Sequence, residues 1–115
     1  MITIQHSENL LNAAILGEFS LADFKQFEEE ALYKLSTAGS MNLLFDLRDM
    51  VSYTVDVAWE EVKFFSREHQ HDFSKIAIVT NDQWQTWATW LSRLFIDADV
   101  RAFSSYAEAS AWISE

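Results

Sequence analysis

Two periods of apolar spacing alternate along this chain, and that alternation constrains the fold more than any other feature. Ile2-Thr3-Ile4-Gln5-His6 steps between apolar and polar with period two, the pattern of a half-buried strand. Turn chemistry at Ser7-Glu8-Asn9 and an apolar run from Leu10 to Leu16, ending at Gly17, complete an antiparallel hairpin with a loop longer than two residues. The period then changes to that of a helix. Leu21, Phe24, Phe27, Ala31 and Leu35 share one face of a segment running to about Ser36, with Glu28-Glu29-Glu30 on the solvated side. Ser20-Leu21-Ala22-Asp23 resembles a capping box, and Gly39 sits where a helix stop is expected.

The same alternation continues to the end. Met41 to Asp49 reads as the strongest strand, with Leu43, Phe45 and Leu47 on one face and Leu44 on the other, the two-sided burial of a central parallel strand. Asp56 can cap a helix from Val57 to about Phe73, in which Ala58, Val62 and Phe65 form the core stripe and Trp59 flanks it. Phe64 is anomalous there, falling among Glu60, Glu61 and Glu68. Ser74 to Thr80 is a short buried strand, and Thr80-Asn81-Asp82-Gln83 gives a capped start to a helix over 82–95. Val100 to Phe103 is a short edge-like strand. Ser105-Tyr106-Ala107-Glu108 opens a last helix that buries Ala109 and Trp112 or Ile113. The order β-β-α-β-α-β-α-β-α implies right-handed crossovers and an α/β sandwich: a mostly parallel, mixed sheet of about five strands with four helices.

Composition narrows the function. The 115 residues, half of them hydrophobic, fit a single domain over 1–115, and zero Pro with two Gly leaves little material for linkers. Zero Cys excludes disulfides and thiolate chemistry and fits a reducing cytoplasm. No signal peptide and no spanning helix is expected. A net charge of −10 with eight dispersed cations disfavours nucleic acid and electrostatic docking on an anionic membrane, so any membrane contact has to be hydrophobic.

Tests for chemistry return little. Asp46 and Asp49, near the carboxyl end of the central strand, could serve as an acid–base pair or hold Mg²⁺, but Arg48 lies between them and Asp at such junctions commonly caps backbone amides. His69-Gln70-His71 has spacing i and i+2, which on a helix separates the two rings. His6 lies alone on a strand. With two glycines there is no phosphate cradle, and no nucleophile elbow or zinc motif occurs. No catalytic residue, metal or cofactor is implied, and the chain reads as no enzyme.

What remains is Asp82 to Phe95, which holds three of the five tryptophans, each three residues after the last. On a helix Trp84, Trp87, Ala88, Trp90, Leu91, Leu94 and Phe95 lie within an arc of roughly 160°. Three readings stand. The face packs on the sheet; or Trp59, Phe64, Phe65, Trp84, Trp87, Trp90, Leu91, Leu94 and Phe95 line a cavity for an apolar ligand; or part of it is exposed to a protein partner, a second copy or the membrane interface.

With these elements placed, the second half resembles the SpoIIAA-like family, small bacterial relatives of the STAS domain. The resemblance lies in Asp46-Leu47-Arg48 ending a strand, Trp59-Glu60-Glu61-Val62-Lys63, Lys75-Ile76-Ala77-Ile78-Val79 followed by Trp84, Val100-Arg101-Ala102-Phe103, and Ala107-x-Ala109-x-Ala111-Trp112. It implies an α/β fold shared with STAS and CRAL-TRIO domains, the latter carriers of apolar molecules. STAS regulators carry a phosphorylatable serine in an Asp-Ser-x-Gly setting after the central strand. Here that stretch is Met50 to Asp56, which has neither Asp-Ser nor Gly, so Ser52 and Thr54 are only nearby hydroxyls. The expectation is therefore a cytoplasmic, non-enzymatic module that binds a nonpolar ligand or lipid between 57–73 and 82–95, with weak membrane association. The alternative is a partner-switching domain without the usual phosphoserine.

Overall fold

The computed structural model describes residues 1–7, 9–39, 41–53, 72–85, 89 and 98–115. Strands β1 (Ile2–His6) and β2 (Leu10–Ile15) form the expected hairpin, antiparallel with Ile2 opposite Ile15 and His6 opposite Leu11. A short β3 (Gly17–Phe19) follows, then helix α1 (Leu21–Ala38), β4 (Met41–Asp46) and β5 (Met50–Tyr53). Beyond them lie β6 (Phe73–Val79), a 3₁₀ turn (Asp82–Trp84), β7 (Asp99–Phe103) and helix α2 (Tyr106–Ile113).

β1, β2, β4, β6 and β7 make one mixed sheet in that order. Only β1 is antiparallel to its neighbour, and β4 is central, as its two-sided apolar pattern implies. Leu43 packs on one face and Leu44 on the other. The α1 face holds Leu11, Ala13, Ile15, Leu43, Ile76 and Ile78 from the strands, covered by Phe24, Phe27 and Ala31. The opposite face holds Leu44, Ala77 and Val79 under Ala109, Trp112 and Ile113 of α2. The two alternatives for the last helix are thus both buried.

Local chemistry sets the helix ends. Ser20 Oγ accepts from Asp23 N–H at 3.2 Å and the Asp23 carboxylate accepts from Ser20 N–H at 3.0 Å, so the capping box is complete. At the other end Gly39 has φ of 82°, a value strained for any residue with a Cβ, and its N–H donates to Leu35 O at 3.0 Å.

The structure departs from the sequence reading in four places. The central strand stops at Asp46 rather than Asp49, because Asp46 accepts from Arg48 N–H and Met50 N–H donates to Leu47 O, closing a turn. Two short strands were not expected: β3 and β5 pair in parallel as a separate two-stranded sheet, started by Gly17 N–H donating to Asp49 O at 2.9 Å. Phe73 opens β6 instead of closing a helix, since it is buried opposite Met41. The cap after β6 is Asn81, whose side chain accepts from Gln83 N–H, while Thr80 is buried at the strand end. Among the described residues there are two α-helices rather than the four expected. The helices read at 57–73 and 82–95 fall mainly outside those residues; the described part of the second is the 3₁₀ turn, with Gln85 and Thr89 helical and Thr89 Oγ1 donating to Gln85 O at 3.2 Å.

Candidate functional site

The parallel strands deliver four chain segments to their carboxyl edge, the usual ligand-binding end of an open α/β sheet. Two of them, 47–53 after β4 and 80–85 after β6, are knitted together there. Leu47 N–H donates to Val79 O at 2.7 Å and Asn81 Nδ2 donates to Arg48 O at 3.4 Å. Trp84 is the deepest of these contacts. Its indole N–H donates to Met50 O at 2.9 Å, and Tyr53 meets its ring edge-on, centroids 6.1 Å apart and planes at 65°. Burying a tryptophan whose N–H finds a carbonyl removes the usual objection to placing one in a core. Trp84 accordingly belongs to the apolar cluster of the α1 face.

Tyr53 and Val51 project from the same side of β5, as residues two apart on a strand must, and remain 41% and 69% exposed. Neither was singled out from the sequence. The Val51-Ser52-Tyr53 alternation is the one available signal, and three residues are too few to establish a period.

Of the residues expected to line an apolar site, Trp84 is described. Trp59, Phe64, Phe65, Trp87, Trp90, Leu91, Leu94 and Phe95 lie outside the described residues, as do Thr54, His69 and His71. Ser52 is half-buried in β5.

Asp46 is occupied structurally. Arg48 Nε and Nη2 donate to its two carboxylate oxygens at 3.0 and 2.8 Å, and Arg48 N–H adds a third bond at 3.1 Å. Burial pushes the Asp46 carboxyl up, but the Arg48 bonds outweigh it and hold it below its ordinary value. The same pairing raises the Arg48 guanidinium, whose Cζ also lies 5.8 Å from the Tyr106 ring centroid. Asp49 is exposed, its backbone oxygen accepts from Gly17 N–H, and its charge adds to that of Asp46 on Arg48. Both carboxylate oxygens of Asp46 are thus spent on Arg48.

Other cations are used in the same way. Lys34 is buried and donates to Ser7 O. Lys75 Nζ and Arg101 Cζ each lie 5.0 Å from the Trp112 ring centroid, Lys75 donates to Trp112 O at 3.2 Å, and Arg101 pairs with Asp99. Four of the five described Lys and Arg side chains are thus engaged with carboxylates, carbonyls or aromatic rings, and they form no basic patch among the described residues. His6 Nε2 meets Glu30 Oε2 at 2.6 Å. Among the described residues no three His, Asp or Glu side chains are grouped to hold a metal, and no helix is long and apolar enough to cross a membrane.

Comparison with known proteins fits this architecture. Residues 10–114 match the SpoIIAA-like family model. The chain is also similar to the crystal structure of an uncharacterised protein with a SpoIIAA-like fold from Shewanella loihica PV-4, at 21% identity and a TM-score of 0.75, over 98% of this chain and 92% of that one. No curated protein matches.

Proposed function

The chain belongs to the SpoIIAA-like family, and from that premise we propose a non-enzymatic module that holds a nonpolar ligand or lipid between 57–73 and 82–95. The observation that carries this reading is the seat of Trp84. The first tryptophan of the aromatic stretch is fixed by its N–H at the carboxyl edge of the sheet, where α/β proteins take ligands, and the remaining apolar residues of the stretch follow it in sequence. On this reading the protein works in the cytoplasm and touches membranes weakly, to collect or deliver its ligand.

Titrating purified protein with a long-chain fatty acid, read by tryptophan fluorescence, tests the proposal. Saturable quenching that Trp87→Ser/Trp90→Ser abolishes is expected. No response in the wild type overturns it.

A second reading has its own observation. Val51 and Tyr53 expose apolar surface in the stretch where STAS regulators carry their switch, which favours a protein-interaction domain. Val51→Asp separates the two: it removes a specific partner from pull-downs under the second reading, whereas under the first no partner is lost and fatty acid still quenches saturably.

A further inference from the structure

We propose that Trp84 couples the two connections at the carboxyl edge, so that an event at Met50–Tyr53 alters the head of the tryptophan stretch at Asn81–Gln85, and the reverse. The inference is independent of the ligand reading, because it uses only contacts between these two segments.

Three features carry it. The first is reach: Trp84 is 8% exposed, yet its indole bonds a backbone oxygen of β5, thirty-four positions earlier in the chain. The second is that this bond is to main chain. Moving β5 therefore moves the acceptor itself, and a buried indole N–H or carbonyl that loses its partner is costly. The third is the asymmetry of access. Tyr53 lies edge-on to Trp84 and is 41% exposed, with Val51 beside it at 69%, so a molecule can touch Tyr53 without reaching Trp84. Asn81 Nδ2 on Arg48 O ties the same two segments a second time. Coupling through shared bonds is reciprocal, so either segment can be the one that responds.

Hydrogen–deuterium exchange on the full chain tests this, comparing wild type with Trp84→Phe, which keeps a ring and loses the N–H, and with Tyr53→Ala. Trp84→Phe is expected to raise exchange about five-fold at Val51–Tyr53 as well as at Gln83–Gln85, the effect of losing one ordinary hydrogen bond. Tyr53→Ala is expected to raise exchange at Gln83–Gln85. Amides of β2 and α2 keep wild-type rates in both. Effects confined to each variant's own segment overturn the coupling. So does uniform acceleration that includes β2 and α2, since that reports a general loss of stability.

Discussion

The two faces of the central sheet are closed by different means. On one, α1 is eighteen residues long and seats Phe24, Phe27 and Ala31, with Phe27 4.9 Å from Phe45 and 6.2 Å from Phe24 between ring centroids. Apolar area does most of the work there, and besides the helix ends only two polar ties among the described residues join α1 to the hairpin, His6 to Glu30 and Lys34 to Ser7 O. On the other, α2 has eight residues and presents only Ala109, Trp112 and Ile113 to the core. It is fastened by side chains from the sheet. Asn12 Nδ2 donates to Tyr106 Oη near its start, and near its end Asn42 Nδ2 reaches Ile113 O at 3.4 Å while Lys75 reaches Trp112 O. A helix of two turns buries too little surface to be held by burial alone, so the strands beneath it supply polar contacts instead.

That contrast can be broken in order of effect. Phe27→Ala removes the centre of the aromatic packing and should cost about 3–5 kcal/mol in chemical denaturation, enough to threaten the fold. Asn42→Ala should cost about 1–2 kcal/mol, because Asn42 also accepts from Lys75 N–H at 3.1 Å and so joins α2 to the start of β6. Combined with Lys75→Met in a double-mutant cycle, its effect should be less than additive, since both residues serve the same end of α2. Ser20→Ala should cost about 1 kcal/mol and Ser105→Ala less, because Ser20 belongs to a complete capping box whereas the Ser105 Oγ bond to Glu108 N–H is 3.4 Å long.

Acid should weaken both faces together. Asp46 is held below its ordinary value as described above. For Asp23, burial raises the carboxyl, but its bonds with Ser20 and with the terminal ammonium lower it further. A carboxyl lowered in the folded state stabilises the protein at pH above its unfolded value of 3.8, and that stability is lost as pH falls through the lowered folded value. Urea midpoints should therefore hold steady from neutral pH to about 5 and drop below 4. Asp46→Asn should flatten part of that drop.

Most of the fold was legible because each signal was local and redundant. The hairpin, the capping box of α1, the stop at Gly39 and the two-sided pattern of β4 each follow from a few adjacent residues, and none depends on the rest of the chain. What was missed depends on partners distant in sequence. β3 is three residues long and shows no period; it is a strand because Gly17 meets Asp49 and Met50. Phe73 suits a helix end or a strand start equally well by its own propensity, and its pairing with Met41 decides. Of the expected site residues only Trp84 is described, so only its placement can be compared with the sequence. The spacing of Trp84, Trp87 and Trp90 gave an apolar helical face, but not that Trp84 turns its N–H to Met50, a contact set by the tertiary packing.

The central claim is that this aromatic stretch holds a nonpolar molecule, and native mass spectrometry of the protein purified without detergent tests it most directly. The account predicts an adduct of lipid mass that solvent extraction releases and that the Trp87→Ser/Trp90→Ser variant lacks. A spectrum of the bare chain alone, unchanged after incubation with fatty acid or phospholipid vesicles, contradicts it.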